Sequence, residues 1–558
     1  MNQPKIIMPF LRLAFLALAA LSVAGCAQYA DVKPRTPIFR AAATPSAEHL
    51  SFRQRIEQAA RLRKSRPLAA VGDYLAAADA AAKRLQADPD DAVAREAYNF
   101  ALARIVGTLK DAGLAPWPQP LQIPAENGGY TLTYKRDRRP KWNPADYVFT
   151  PADQFDVRGK YVADRMTKPG VGAPLVAMGR EKNKNFREEF SVPRTFYGVT
   201  AVVRFRGKTA ELALEDPLAT EEVNIGGRAL PLAADFTVPL AVLLDDANPK
   251  TKEITRLLWP EKYAETAKLT RLQPYDPNKT VVLVIHGLMD SPATWAPMIN
   301  KLRSDPVIRQ NYQFWFYSYP SGYPYPYSAA ILRRELDAVQ KKFPLRKPMV
   351  VIGHSMGGCI SRLLITDAGE KLWETIFGQP RAQTPLSGEA RRIFTDALVF
   401  NRRPEVGRVI FVSAPLRGAD MATDWTGRIG SSLVRAPQTL LRAGADAMSL
   451  ATWQTGDLRL RRIPNSIDTL APNSRFVRAI NTIPMSARVP VNVIGGDRGK
   501  GGNKDQREPV MSDGVVPYWS LHIPQAESER IVASDHSAHQ NPDAIAEVAR
   551  ILKKQAEQ

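Results

Sequence analysis

One short segment constrains the fold of this chain more than any other. The apolar run Met349–Ile352 leads directly into GHSMG at residues 353–357, and apolar residues then recur at helical spacing over 360–364. The pattern predicts a strand, a tight turn and a helix, with Ser355 in the turn. A serine held there projects its hydroxyl from the sheet edge, and the flanking glycines avoid steric clashes. We therefore expect Ser355 to be a nucleophile, with the backbone N–H of Met356 available to stabilise an oxyanion.

From about residue 255 onward, apolar runs alternate with helical stretches. This alternation is typical of a mainly parallel α/β sheet whose strands are covered by helices on both faces. The connection between the fourth and fifth predicted strands is far longer than usual, so we predict a helical cap over about residues 414–488. The predicted strands are Val281–Ile285, Phe314–Ser318, Met349–Ile352, Val409–Val412, Val491–Ile494 and Arg530–Ala533.

A second motif, HGLMD at residues 286–290, follows the first predicted strand. Together with the serine turn it resembles the α/β-hydrolase superfamily, and the likeness is closest to lipase and glycosylphosphatidylinositol-deacylase-like members. In such lipases a His-Gly pair at this place shapes the oxyanion hole. The resemblance, which covers roughly residues 275–555, implies that Leu288 supplies a second backbone N–H beside that of Met356. It also implies that His286 holds the loop and does not act as a base.

The resemblance further implies that the acid and the base follow Ser355 in the order Asp, then His. SDGVVP at residues 512–517 resembles the segment that carries the acid in bacterial lipases, which favours Asp513. Asp497, just after the strand Val491–Ile494, occupies the position of the acid in many other α/β-hydrolases. Asp497 therefore stays open as the alternative acid.

Two histidines compete for the role of base. The segment SDHSAH at residues 534–539 lies between the last predicted strand and a predicted amphipathic helix that starts at Pro542. In the family the base lies six or seven residues before such a proline, which fits His536 and not His539. The implied chemistry is two-step acyl transfer from a carboxylic ester, without a cofactor.

The same region is rich in histidine, so a metal site has to be considered. His536 and His539 stand three residues apart and could share a helical face. No His-Glu-x-x-His pattern and no cysteine cluster accompanies them, and we predict no metal. Two other functions stay open beside an esterase. One is a phospholipase or acyltransferase with the same triad, and the other is an inactive envelope lipoprotein that docks a protein partner.

The N-terminus predicts export and lipid anchoring. The apolar run Leu13–Val23 is too short to span a bilayer and ends in LSVAGC at residues 21–26. This ending resembles a bacterial lipobox, so we expect residues 1–25 to be a signal peptide and Cys26 to be acylated. An ordinary secretory signal with an incidental cysteine is the alternative. By the rule for Gram-negative lipoproteins, Ala27 favours the outer membrane.

The chain carries a formal net charge of +20. Basic proteins of this kind associate with nucleic acid or with acidic lipid headgroups. The charges are dispersed, and there is no zinc finger, RNP-like motif or basic block. We therefore predict an anionic membrane face, with a merely solubilising basic surface as the alternative, and no nucleic-acid partner. The lipase resemblance implies an ester or lipid substrate.

Three further regions precede the α/β-hydrolase domain, which we place at residues 255–558. Residues 26–48, with several prolines and small residues, predict a flexible tether. Residues 49–125 predict a helical segment, which resembles one tetratricopeptide-type hairpin and which we interpret as a packing or docking element. Period-two alternation within residues 128–250 predicts a β-rich domain, which we interpret as a small antiparallel sandwich.

Overall fold

The structure is a computed structural model. It describes residues 29–39, 46–126, 128–136, 143–180, 194–247, 256, 260–419, 465–499 and 511–558. The predicted signal peptide and Cys26 lie outside the described residues, as does most of the predicted cap. Nowhere in the described ranges is a helix long and apolar enough to cross a membrane.

The predicted helical segment is confirmed, and the described part of it forms three helices: α1 (Ala47–Leu62), α2 (Pro67–Ala87) and α3 (Ala92–Asp111). The Asp91 carboxylate caps α3 by accepting the Ala94 N–H at 2.8 Å, which satisfies a backbone donor that the helix leaves unpaired. Facing positions of α2 and α3 are mostly alanine, so the two helices approach closely. These buried alanines include Ala77, Ala78, Ala81, Ala97 and Ala101.

The predicted β-rich region is confirmed as well. Within the described ranges its main sheet has six strands in the order β2-β3-β9-β8-β7-β4, all antiparallel except the pair β3 and β9. The helix α4 (Thr237–Ala247) follows the strands. The strands are β1 (Asp31–Pro34), β2 (Leu121–Ile123), β3 (Tyr130–Tyr134), β4 (Tyr147–Pro151), β5 (Phe155–Arg158), β6 (Thr167–Lys168), β7 (Ala173–Gly179), β8 (Phe196–Arg206), β9 (Thr209–Glu215), β10 (Glu222–Ile225), β11 (Arg228–Pro231) and β12 (Ala234–Asp235).

The layer that covers the apolar face of this sheet is helical. Helices α2 and α3 share one continuous core with strands β3, β7, β8 and β9. The Tyr98 hydroxyl of α3 donates to the Val203 carbonyl of β8 at 2.7 Å and accepts the Val203 N–H at 3.0 Å. The region is thus a helix-on-sheet arrangement and not the two-sheet sandwich of our interpretation. Alternation indicates only that one face is apolar, and it does not identify what packs there.

The first described residues belong to the folded body. Strand β1 pairs antiparallel with β5, although both lie apart from the main sheet. The Tyr29 ring packs 4.9 Å from the Tyr161 ring, and Ala30 is buried in the same small cluster as residues of α4 and Ala293. Within the predicted tether, the chain is therefore held by pairing and packing from Tyr29 to Pro34.

The second half contains the predicted α/β-hydrolase sheet. Seven of its described strands form one sheet in the order β13-β15-β14-β16-β17-β18-β19, parallel except for the edge strand β13. Each of the six strands that the apolar runs predicted is present. The strands are β13 (Lys268–Arg271), β14 (Thr280–Ile285), β15 (Tyr312–Ser318), β16 (Met349–His354), β17 (Val406–Val412), β18 (Val491–Asp497) and β19 (Ser528–Ala533).

Helices cover both faces of this sheet, and alternate strand residues contact opposite layers. Val282 and Val284 pack with one layer, which includes α5, α6 and α14. Leu283 and Ile285 pack with the other, which includes α7, α8 and α9. The helices are α5 (Ala296–Ser304), α6 (Pro306–Asn311), α7 (Tyr325–Lys342), α8 (Met356–Leu363), α9 (Lys371–Phe377), α10 (Gly388–Leu398), α11 (Ser466–Leu470), α12 (Arg475–Asn481), α13 (Tyr518–Leu521) and α14 (Pro542–Ala556).

Polar side chains join the two halves. The Arg309 guanidinium of α6 donates to both carboxylate oxygens of Glu221, each at 2.8 Å, and only 2% of the Arg309 side chain is exposed. Burial raises the pKa of Glu221, but hydrogen bonds from Arg309 and Lys168 outweigh it and hold that pKa below its usual value. The Thr237 hydroxyl donates to the Asn300 side-chain oxygen at 2.9 Å. The β-rich part is therefore a packed neighbour of the α/β sheet.

Candidate active site

Ser355 occupies a strained turn between β16 and α8. Its backbone has φ 53° and ψ −125°, a region that a residue with a Cβ rarely adopts. The turn also requires close backbone approach, because a Cβ on Gly357 would lie 2.2 Å from the Ile285 carbonyl oxygen. The predicted strand, turn and helix are all present, and the turn holds the Ser355 side chain beside the end of β14.

The structure brings three predicted side chains together at the carboxyl ends of the parallel strands. His536 Nδ1 lies 2.8 Å from Asp513 Oδ2, and His536 Nε2 lies 2.8 Å from Ser355 Oγ. A carboxylate only accepts hydrogen bonds, so Nδ1 carries the proton in the neutral ring. Nε2 then accepts the Ser355 hydroxyl proton. This is the protonation state that a general base needs.

The Asp513 carboxylate is fixed from both oxygens. Its second oxygen, Oδ1, accepts the backbone N–H groups of Val515 at 2.9 Å and Val516 at 2.7 Å. Burial raises the pKa of Asp513, but the neighbouring charge and hydrogen bond of His536, with the two backbone donors, hold the pKa below its usual value. Asp513 is therefore a charged and oriented partner for His536.

The rival acid, Asp497, makes a different set of contacts. Its Oδ1 accepts the Gly499 N–H at 2.9 Å, and its backbone carbonyl accepts the Ser534 N–H at 3.0 Å. Asp513 lies close to the same strand end, since a Cβ on Gly496 would lie 2.8 Å from the Asp513 Cβ. Both aspartates thus lie near the end of β18, and it is Asp513 that accepts the hydrogen bond from His536.

One predicted oxyanion donor, Met356, directly follows Ser355, and the other, Leu288, follows Gly287 in the loop after β14. Met356 is the first residue of α8, whose N-terminus follows the serine directly. In the loop after β14, a Cβ on Gly287 would come within 2.9 Å of the Ser355 Cβ. The Gly287 N–H points to Asp290 Oδ2 at 3.5 Å and the Met289 N–H donates to Ser321 Oγ at 3.1 Å. This leaves the N–H of Leu288 as the donor that the loop can offer.

His286 holds this loop, as the sequence predicts. Its ring stacks on Tyr319 with centroids 4.3 Å apart, its Nδ1 lies 2.9 Å from the Gly287 carbonyl oxygen, and its Nε2 accepts the Tyr319 N–H at 3.4 Å. Burial lowers the pKa of His286 to about 4, against the charge of Asp290. His286 is therefore a neutral packing residue near the site.

His539 does not contact Ser355. The residue is 2% exposed, its Nε2 accepts the Thr294 hydroxyl at 3.1 Å, and its ring packs 4.8 Å from that of Trp295. Burial and the nearby charges of other histidines hold the pKa of His539 well below its usual value. His539 therefore packs against Thr294 and Trp295, and the base position beside Ser355 is occupied by His536.

Sequence reasoning missed a group beside the three residues. Asp290 Oδ2 lies 3.6 Å from His354 Nδ1 and 3.9 Å from His539 Nε2. The His354 Nε2 in turn donates to the backbone carbonyl of His536 at 2.7 Å. Both Asp290 and His354 stand inside the motifs that the sequence analysis used, so their positions were visible. The sequence does not show that the two side chains meet.

The distances from Asp290 to the two histidines are longer than those between the ligands of a zinc ion. The donor atoms of Asp290, His354 and His539 lie within 4.8 Å of one another. A tetrahedral zinc ion with bonds of about 2.0–2.1 Å holds its ligands about 3.4 Å apart, and the distances of 3.6 and 3.9 Å from Asp290 are both longer. The arrangement fits a histidine–carboxylate pair better than a zinc site.

Comparisons with known proteins found a matching family and similar solved structures. Residues 281–548 match the family described as "Alpha/beta hydrolase family", and no curated protein matches the chain. Among solved structures, the chain is similar to a mature lipase of Bacillus licheniformis, at 14% identity and a TM-score of 0.31, over 50% of this chain and 93% of that one. Lipase 1 of Pelosinus fermentans is similar at 13% identity and a TM-score of 0.31, over 50% and 99%. The phospholipase PlaB of Legionella pneumophila, in complex with thio-NAD, is similar at 15% identity and a TM-score of 0.25, over 44% of each chain.

Proposed function

Because residues 281–548 match the alpha/beta hydrolase family, we propose that the protein is a serine hydrolase that cleaves carboxylic esters, with Ser355, His536 and Asp513 as its catalytic triad. The observation that carries the proposal is the unbroken hydrogen-bond chain from Asp513 through His536 to Ser355, with both links at 2.8 Å. Nucleophile, base and orienting acid are the parts that acyl transfer through a serine requires.

In the first step, His536 Nε2 takes the proton from Ser355 Oγ while Oγ attacks the carbonyl carbon of the ester. The carbonyl oxygen becomes an oxyanion, which accepts hydrogen bonds from the N–H groups of Met356 and Leu288. When the tetrahedral intermediate collapses, the bond to the alcohol oxygen breaks and His536 returns its proton to that oxygen. The alcohol leaves and the acyl group remains on Ser355.

In the second step, water replaces the alcohol. His536 Nε2 takes a proton from the water as its oxygen attacks the acyl carbon, and a second tetrahedral oxyanion forms in the same hole. Collapse breaks the bond to Ser355 Oγ, which regains a proton from His536. The carboxylic acid leaves, and Asp513 remains ionised throughout because its charge stabilises the imidazolium in both steps.

Ester cleavage is preferred among the hydrolase activities because of the motifs that frame the site. HGLMD at residues 286–290 and SDGVVP at residues 512–517 both resemble lipase segments. An ester also needs just one proton for its leaving alcohol, which His536 supplies. We extend the proposal to an ester or lipid substrate that lies at a membrane, with Cys26 acylated and the protein held at the outer membrane of a Gram-negative bacterium.

Labelling with a fluorophosphonate tests the nucleophile directly. The full chain should be labelled, and Ser355→Ala should not be, since the probe forms a covalent bond with an activated serine. A folded wild-type protein that stays unlabelled would overturn the proposal. p-Nitrophenyl esters of increasing acyl length then give the preferred chain length through kcat/KM.

The two related activities are separated by their products. Phospholipid vesicles from which the enzyme releases fatty acid faster than from any soluble ester would identify a phospholipase. If the acyl group moves to an added alcohol more readily than to water, the enzyme is an acyltransferase. Free acid from a simple ester, at a rate unaffected by alcohol, is the result that we expect.

A further inference from the structure

A buried pair behind the triad contacts the backbone of the base. The His354 side chain is 6% exposed and that of Asp290 is 10% exposed. His354 is the last residue of β16 and precedes Ser355, and Asp290 ends the HGLMD loop after β14. We propose that Asp290 and His354 position His536 by holding its backbone carbonyl, an inference that rests on the proposed function of His536 as the base.

The hydrogen bond to His536 fixes the orientation of the His354 ring. A carbonyl oxygen only accepts hydrogen bonds, so the 2.7 Å contact requires a proton on His354 Nε2. The other nitrogen, Nδ1, then faces Asp290 Oδ2 at 3.6 Å. A proton on Nδ1 complements the carboxylate, whereas a bare nitrogen would place two lone pairs against each other in a buried site.

Asp290 is ionised and needs a positive neighbour. Burial raises its pKa, but a hydrogen-bonding contact with His354 and the nearby histidine charges outweigh this and hold the pKa far below its usual value. Of the histidines around it, His286 has a pKa lowered to about 4 and His539 has a pKa held well below normal. His354 Nδ1 lies nearer to the Asp290 carboxylate than His539 Nε2 does, at 3.6 Å against 3.9 Å.

The Asp290 carboxylate also ties the site together. It accepts the Ser291 N–H at 2.7 Å through Oδ1 and the Gly287 N–H at 3.5 Å through Oδ2, both within the loop that offers the Leu288 donor. Through His354 it reaches the turn of Ser355 and the loop of His536. Nucleophile, base and oxyanion loop therefore share one buried anchor, and a small shift in it would misalign all three.

Three variants test this positioning role through steady-state kinetics on a p-nitrophenyl ester. His354→Leu removes both contacts, and kcat should fall by about 10- to 100-fold while KM stays within about twofold. His354→Gln keeps an amide N–H for the His536 carbonyl, and kcat should recover about tenfold over the leucine variant. Asp290→Asn has nearly the same shape as the native residue and should lower kcat to a similar extent as His354→Leu.

A second histidine–carboxylate pair supplies the matched control. His49 Nε2 lies 3.1 Å from Asp91 Oδ2 in the helical segment, and His49→Leu should leave kcat and KM within about twofold of wild type. Circular dichroism at the assay temperature should show every variant to be folded.

The outcomes separate this proposal from the proposed function. A wild-type protein that a fluorophosphonate does not label removes the proposed function itself. With labelling intact, a kcat within twofold of wild type for His354→Leu and Asp290→Asn would overturn the positioning role alone. Equal kcat values for the leucine and glutamine variants would do the same. A rate that rises when Zn²⁺ is added to EDTA-treated enzyme would also overturn the positioning role, because a metal ion bound by Asp290 and His354 would then explain the effect of the variants.

Discussion

His536 Nε2 lies 2.8 Å from Ser355 Oγ, although 181 residues separate the two along the chain. The contact exists because β16 and β19 are parallel strands of one sheet, so the loops that follow them open at the same edge. Chemistry that needs two groups in hydrogen-bond contact is thus provided by the topology of the sheet. The predictions below address that contact and the elements around it.

Loss of the base should be as severe as loss of the nucleophile. Without His536, the Ser355 hydroxyl keeps its proton at neutral pH, so His536→Ala and Ser355→Ala should each lower kcat by several orders of magnitude. The double variant should be little worse than either, because the residues act as a unit. Ester-hydrolysis assays should find His539→Ala at a loss of about tenfold or less. Reversed severities for the two histidine variants would mean that the base is His539.

The acid is tested by a matched pair of aspartates. Asp513→Asn should lower kcat by about 10³- to 10⁴-fold, since the amide favours the wrong tautomer of His536. Asp497→Asn should stay within about threefold of wild type, because its Oδ1 contacts the Gly499 N–H and not a histidine. Comparable losses of kcat in the two variants would contradict the assignment of Asp513 as the acid.

Stability should fall as the pH falls below about 6.5. The folded-state pKa of His286 is lowered to about 4, while an unfolded histidine has a pKa of about 6.5. The unfolded state therefore binds more protons between these values, and its contribution to stability, full above pH 6.5, is lost towards pH 4. In urea denaturation at pH 7.5 and pH 5, the loss of stability in the wild type should exceed that in His286→Gln by about 2 kcal/mol, since His539, whose pKa is also lowered, contributes to both. Equal losses of stability in both proteins would contradict a lowered pKa for His286.

Lipid anchoring predicts a change in fractionation. Cys26→Ala removes the thiol that would be acylated, so the protein should leave the membrane fraction or persist as a larger precursor. Immunoblots of separated membrane and soluble fractions measure both. A variant that fractionates like the wild type and has the mature size would show that Cys26 is not the anchor.

The N-terminal part should be dispensable for the chemistry but not for stability. Ser355, Asp513, His536 and the proposed oxyanion donors all belong to the second half, so a fragment that starts near Thr251 should still react with a small ester once folded. It loses the Glu221 partner of Arg309 and exposes surface that the N-terminal part covers, which should lower its melting temperature. A well-folded but unreactive fragment would show that the N-terminal part completes the site.

The sheet and the serine turn could be predicted from sequence because each is encoded locally. A continuous apolar run followed by GHSMG gives both the buried strand and the strained turn at Ser355. Strand β1 could not be predicted, since its four residues, with Pro34 among them, show no strand pattern and depend on pairing with β5. The helical layer on the β-rich sheet was missed for a related reason, because a period of two describes the sheet face alone.

Within the site, sequence reasoning identified residues better than their contacts. Asp497 ends β18 and Asp513 comes 16 residues later in the chain, and only their contacts in the folded structure distinguish them. Asp290 and His354 were present in the quoted motifs, yet nothing local shows that they meet. Contacts between loops of different strands depend on the packed sheet, which the sequence around either residue does not encode.

If Cys26 is acylated as proposed, the burial of Tyr29 limits how far the folded protein can lie from the membrane. Cys26 lies three residues before it, and three fully extended residues span about 10 Å. Only a short connection would thus join an acylated Cys26 to the folded body. The body would lie against the headgroups and keep the same face towards them. Such an enzyme would reach its substrate by lateral diffusion in the plane of the membrane. The folded body could not move further from the headgroups than the length of this connection, about 10 Å.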